Sequence, residues 1–303
     1  MFKNLLPIIT VSLLLASCGT QNRLTSVHKK TEAAKRSIQQ ESLMLDSVKQ
    51  KISQKLKSSE LDTALTGKFN NIILALQSDL EKIEQTVTMT EFLSAKKSNF
   101  NERNYYAKTK IYIDKIDSFR VAGYLRDRIY QLLNRAVSLN AFHKYELGAF
   151  FEPGAYRIPP TALAKVRNSF QPAIDSIIAL SNEYHDVKST IYIVFVGFAD
   201  ALPISCGTSL YEDLQSYLSL SNPEKAQLNL MLSNLRANEL SRNIKILVQD
   251  NAHKFQNLKQ FKVGYINYGR GEALPFNNIN DYRDNDERRR VVVFYWSVLP
   301  DLN

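Results

Sequence analysis

Two cysteines and four histidines are the side chains of this 303-residue chain best suited to nucleophilic or metal chemistry. Their spacing argues against both. His28, His143, His185 and His253 fall in unrelated segments with no Cys, Asp or Glu at ligand spacing, so no metal site is expected. There is no Gly-Lys-Ser/Thr phosphate loop and no Gly-x-Ser-x-Gly elbow. Cys206 follows Asp200 closely, but a thiol nucleophile needs a base and no histidine is near it in sequence. Neither catalysis nor a cofactor is expected.

Cys18 has a different chemistry. Met1-Phe2-Lys3-Asn4 is a short basic start, Leu5 to Leu15 an apolar run too short to span a bilayer, and Leu15-Ala16-Ser17-Cys18 ends it with small residues. The run resembles the lipobox of bacterial lipoproteins, which implies a signal peptide over residues 1–17 and a Cys18 thiol that carries lipid. One acyl chain holds a membrane marginally, whereas two or three, at about 0.8 kcal/mol per buried CH2, make a durable anchor. Gly19 is not the aspartate associated with inner-membrane retention in some bacteria, so the expected location is the outer membrane, facing the periplasm. With Cys18 lipidated, Cys206 has no partner for an intrachain disulfide. The net charge of +9 would make nucleic acid a candidate for a cytosolic protein, but export argues against it and favours anionic wall polymer, lipid headgroups or a solvated Lys-rich surface.

These residues must be carried by two kinds of structure. From Leu24 to about Asn140 there is no proline and little glycine, and apolar residues recur at helical spacing. Leu24, Val27, Thr31, Ala34, Ile38, Leu45, Val48 and Ile52 form one stripe. Phe69, Ile73, Leu76, Leu80, Ile83 and Val87 form a second, and Ala122, Leu125, Ile129, Leu132 and Ala136 a third. Breaks are expected near Ser58 to Gly67 and Lys97 to Tyr105. The region 18–140 reads as a helical bundle or coiled-coil stalk whose stripes are buried on one another or on an envelope protein partner.

After about Tyr145, Gly, Pro and aromatic residues appear. A short strand is expected around Phe150-Phe151, a helix from about Thr161, and a strand buried on both faces over Thr190 to Val196. A second helix follows Ser221, with Asn222 as cap and Pro223 in the first turn. Strands over Phe261 to Tyr268 and Arg290 to Val298 close the chain. This order, βαβαββ, predicts an α+β fold with helices on one face of a mixed sheet and each helical crossover joining parallel strands. Ala201 to Leu228 is a long connection with its own helical spacing at Leu210, Leu214 and Leu218.

Five short runs occur in order in residues 145–303: Phe151-Glu152-Pro153-Gly154-Ala155 with Ile158, Gly197-Phe198-Ala199-Asp200, Asn229-Leu230-Met231-Leu232-Ser233 with Arg236-Ala237, Gly269-Arg270-Gly271-Glu272 with Pro275, and Arg289-Arg290-Val291. Together they resemble the signature of the OmpA-like, peptidoglycan-associated domain. The resemblance implies binding of the diaminopimelate residue of the peptidoglycan stem peptide, whose free end is a zwitterion. A strand-end aspartate suits the ammonium and a helix arginine the carboxylate; the matching positions are Asp200 and Arg236, with Asn229 lining the pocket and Phe198 and Ala199 forming its wall. Arg289 and Arg290 are expected to be structural or rim charges, since successive strand residues point to opposite faces and cannot both face one site. Two departures stand out: Ala199 replaces the usual threonine, and the 201–228 insertion lies beside the expected pocket, as a wall, a lid or an obstruction.

The expected role is a non-enzymatic tether, with lipid at Cys18 holding the outer membrane and the C-terminal domain holding the wall. The alternative is an accessory lipoprotein of a multi-protein secretion or motility machine, with the helices as the docking element.

Overall fold

A computed structural model describes residues 6–58, 60–138, 142–143, 151–256, 261–276 and 279–302. The side chains of Cys18 and the segment before it, and Phe150, lie outside the described residues. The chain divides into two compact units, Met1–Val48 with Asn71–Tyr130, and Lys49–Asn70 with Gln131–Asn303. Among the described residues no helix is long and apolar enough to cross a membrane.

The first unit is built from the part of α1 (Leu6–Lys57) up to Val48, the part of α2 (Thr63–Ser94) from Asn71, the one-turn α3 (Glu102–Asn104), α4 (Lys110–Val121) and the start of α5 (Gly123–Ser138). Both expected breaks are present, the second as a 3-10 turn at Lys97–Phe100 and a π turn at Tyr105–Thr109. The apolar stripes meet as the spacing requires: Ala34 and Ile38 of α1 pack with Ile83 and Val87 of α2 and Ile116 of α4. Buried Glu41 is held by Arg126 through Nε and Nη2 at 3.1–3.2 Å. The third stripe is corrected. Ala122 is the C-cap of α4 and Gly123 begins a new helix, so only the later part of the stripe holds: Leu132 and Ala136 are buried and Ile129 half-buried as expected, Ala122 and Leu125 are exposed, and Tyr130, Leu133 and Val137 are buried beside them.

The second unit is the α+β domain. Its sheet has the order β1-β4-β2-β3, from β1 (Phe142–His143), β2 (Ser189–Gly197), β3 (Phe261–Gly269) and β4 (Val292–Pro300). β2 pairs with β3 in parallel and with β4 antiparallel along its whole length, and β4 pairs antiparallel with β1. β1, β2 and β3 therefore run the same way, and both helical crossovers, through α6 (Pro160–Glu183) and α8 (Lys225–Asp250), join parallel strands. Of the strand expected around Phe150-Phe151, Phe151 lies in a bend while Phe150 and the residues just before it lie outside the described residues; the first strand among the described residues is Phe142–His143. The cap of α8 is corrected too. Glu224, not Asn222, occupies it, because Gln227 three residues on returns a bond to the Glu224 N–H at 2.9 Å and completes a capping box.

Alternation along β2 and β4 divides the core between two faces. Ile191, Ile193, Phe195, Phe294, Trp296 and Val298 share the face under α6 and α8, where Phe170 of α6 meets Phe294 edge-on at 5.1 Å between centroids. Tyr192, Val194, Tyr295 and, on β3, Tyr268 share the other. The turn between α1 and α2 covers this second face. Asp62 accepts a hydrogen bond from the Tyr268 hydroxyl, Lys68 stands 5.2 Å from the Tyr192 ring centroid, and Leu61, Leu65 and Phe69 are buried. Burial pushes the Tyr265 phenol, on the helix face, up to about 12, and burial together with the bond to Asp62 raises that of Tyr268.

Candidate functional site

The expected motif residues converge where β2 and β3 end against α8. Both strands finish in glycine because the helix backbone comes too close for a side chain. A Cβ on Gly197 would overlap the Ser233 carbonyl oxygen and stand 2.9 Å from its carbon; one on Gly269 would stand 2.5 Å from the Asn234 nitrogen and 2.9 Å from the Leu230 oxygen. Ser233, buried between them, accepts the Gly271 N–H at 2.9 Å and donates to the Leu230 carbonyl at 2.7 Å. Three motif positions, Gly197, Ser233 and Gly269, are thus explained by strand-to-helix packing.

Beyond Gly197 the chain is pinned by main-chain bonds to the β3–β4 connection. Phe198 N–H donates to Val291, Ala199 N–H to Gly271 and Ala201 N–H to Asp284, all at 2.8–2.9 Å. Asp200 sits in this rigid stretch, 7% exposed, and its Oδ2 accepts from Arg290 Nη1 at 2.8 Å. The expectation for Arg290 is corrected. Residues 287–289 form a 3-10 turn and β4 starts only at Val292, so strand alternation does not govern the pair. Arg289 turns to the Glu272 carbonyl at 2.6 Å and to Asp284, holding the loop, while Arg290 turns to Asp200.

One face of α8 supplies Asn229, Ser233 and Arg236. Arg236 is fully buried; its Nε donates to the Ala155 carbonyl at 3.0 Å and its Nη1 to that of Phe198 at 3.2 Å, and the guanidinium lies 5.7 Å from the Phe151 ring centroid. Its Nη2 is buried and has no hydrogen-bond partner among the described residues. Burial pushes its pKa down to about 10, against the pull of Asp200 and with a further push from Arg290. Asn229, also fully buried, donates from Nδ2 to Glu272 Oε1 at 2.7 Å and to the Leu202 carbonyl at 3.3 Å, which leaves its Oδ1 buried and unpaired. Glu272, the acid of the Gly-x-Gly-Glu run, serves to orient Asn229.

A cavity of about 320 Å³ opens in front of Asp200. Pro153, Gly154 and Leu232 line it together with Leu202, Ile204 and Leu210 of the insertion. The insertion is therefore a wall: α7 (Ser209–Leu218) stands beside the cavity and leaves it open. Asp200 lines the cavity directly, whereas Arg236, Asn229, Phe198 and Ala199 are not among its lining residues. Ala199 is fully buried in an apolar cluster with Tyr211, Leu214, Leu228 and Leu232. The insertion's helix is seated in the same apolar cluster as the Ala199 methyl group, through Tyr211 and Leu214.

Around the acidic contact point Asp200 stand the guanidinium groups of Arg290 and Arg236, while the Glu272 carboxylate is taken up by Asn229 and Lys225, and Arg289 by the Glu272 carbonyl and Asp284. Sequence reasoning read Arg290 as a structural or rim charge and missed its pairing with Asp200, and it left the insertion open as a wall, a lid or an obstruction without Leu202 or Ile204 as lining. The signal for Arg290 was the Asp286-Glu287 pair before it, where Asp286 caps the 3-10 turn that delays the strand.

No family model and no curated protein matches the chain. Among solved structures, a MotB-like protein from Desulfovibrio vulgaris is similar at 16% identity and a TM-score of 0.25, over 50% of this chain and 70% of that one.

Proposed function

We propose that the chain binds the peptidoglycan stem peptide without cleaving it, Asp200 taking the ammonium and Arg236 the carboxylate of a diaminopimelate terminus, while lipid at Cys18 holds the protein in the outer membrane. The carrying observation is the fully buried Arg236, whose Nη2 has no hydrogen-bond partner among the described residues. A buried guanidinium donor left unpaired is costly, and a carboxylate is the group that relieves it. The charge balance points the same way. An ammonium alone would meet Asp200 against the repulsion of two guanidinium groups, whereas a terminus that also carries a carboxylate offsets the excess positive charge.

Co-sedimentation with purified diaminopimelate-containing sacculi tests this reading. Wild-type protein should pellet, and the Asp200→Asn, Arg290→Gln double variant, which removes the site's carboxylate together with its ion partner, should stay in solution. Equal pelleting of both would reject the site assignment.

A further inference from the structure

The insertion between β2 and α8 is anchored too well to be a spacer. Tyr211 and Leu214 of α7 are buried against Ala199, Leu228 and Leu232. Thr208 caps the helix by accepting the Tyr211 N–H at 3.2 Å and donates to the Ser205 carbonyl at 2.8 Å. From the loop after Gly154, Tyr156 donates to Asp213 at 3.0 Å and meets the Tyr217 ring edge-on. Arg236 holds the adjacent Ala155 carbonyl from below. The 153–156 loop and the insertion are thus clasped together around the opening that leads to Asp200. Yet Leu202 leaves 41% of its surface exposed there, and Ile204 and Leu210 are half-buried. Fixed walls with apolar groups turned to an open cavity, and one carboxylate on its lining, are complementary to a methylene chain that ends in a charged amine.

Resting on the stem-peptide reading above, we propose that Leu202, Ile204 and Leu210 are the specificity wall of the site: they grip the aliphatic stem of the diaminopimelate side chain and deliver its ammonium to Asp200. The insertion makes recognition depend on the length and apolarity of that stem as well as on its charges. Each methylene taken from water is worth roughly fourfold in affinity. A polar substitution in the wall should therefore weaken binding while leaving the ionic contacts in place.

Calorimetric titration of the full chain in detergent with a soluble diaminopimelate-containing stem tripeptide tests the wall. Leu202→Ser and Ile204→Ser should each weaken binding by roughly four- to fifteen-fold, and Leu220→Ser, in the same insertion but off the cavity, should leave it unchanged. Leu202 lies outside the apolar cluster that seats α7, so its variant keeps the fold if Ile204→Ser does not. If wild type binds and Asp200→Asn, Arg290→Gln abolishes binding while both wall variants match wild type, the wall proposal is overturned and the stem-peptide reading stands. If wild type itself fails to bind the tripeptide, both fall.

Discussion

Replacing Gly197 with alanine tests whether the strand-to-helix contact builds the site. The added Cβ would stand 2.9 Å from the Ser233 carbonyl carbon and overlap its oxygen, whereas two carbons sit at about 3.5–4.0 Å. Relieving the carbon contact alone takes roughly 0.6–1 Å, and relieving the oxygen overlap takes more than about 1 Å of strand–helix separation. Neither partner can give easily. β2 is bonded on both sides along its length, and α8 is buried along the face that carries Leu232, Ser233, Arg236 and Leu240. Overpacking in a core costs about 1–3 kcal/mol, and a clash between two backbones belongs at the top of that range. Against a domain stability of about 5–15 kcal/mol, a loss of about 3 kcal/mol is large. Urea unfolding followed by circular dichroism should show it as a lower midpoint with an unchanged slope. Gly269→Ala should behave alike, but Ser233→Ala should offset part of its cost and none of that of Gly197→Ala, because the serine hydroxyl obstructs only Gly269. A cost below about 1 kcal/mol for Gly197→Ala would refute the packing argument.

Other outcomes follow from the same contacts. Asp200→Asn alone removes the anion between two guanidinium groups and should cost about 3–5 kcal/mol in unfolding free energy, with part recovered by adding Arg290→Gln, a coupling that a double-mutant cycle reads directly. Ala199→Thr buries a hydroxyl among Tyr211, Leu214 and Leu232 and should lower stability by about 1–3 kcal/mol in thermal or urea unfolding. Tyr265 and Tyr268 have raised folded pKa values, so the stability their neutral phenols give is fully present below about pH 10 and is lost as pH rises through the folded values, about 12 for Tyr265. Unfolding free energy measured from pH 8 upward with phenolate absorbance should fall at the alkaline end, and less so in Tyr265→Phe.

The elements that dominate local physics were legible. The run from Thr190 to Val196 reads as a strand buried on both faces and is one, and the glycine-poor stripes of the first half place α1 and α2 with the turn between them. Legibility ended where long-range contacts decide. That the α1–α2 turn covers the second face of the sheet depends on Asp62 and Tyr268, 206 positions apart, and no local pattern links them. The cap of α8 was misplaced because Asn222 and Pro223 carry strong local preferences that a reciprocal Glu224–Gln227 pair overrode. At the site, Asp200 and Arg236 were found through short runs, but their partners were not. Arg290 is brought in by a turn that postpones β4, and Arg236 spends two of its donors on carbonyls of segments far from it in sequence. The same runs also mixed architecture with chemistry, since Gly197, Ser233 and Gly269 hold the helix against the strands while Asp200 faces the cavity.

The central claim is that one carboxylate between two guanidinium groups selects a zwitterionic stem-peptide terminus. Co-sedimentation of the wild-type chain with two sacculus preparations, one with diaminopimelate and one with lysine at the third stem position, tests it most directly. Retention on the diaminopimelate sacculi and release from the lysine sacculi is the expected result, because lysine presents the ammonium without the carboxylate. Equal retention on both, or on neither, would contradict it.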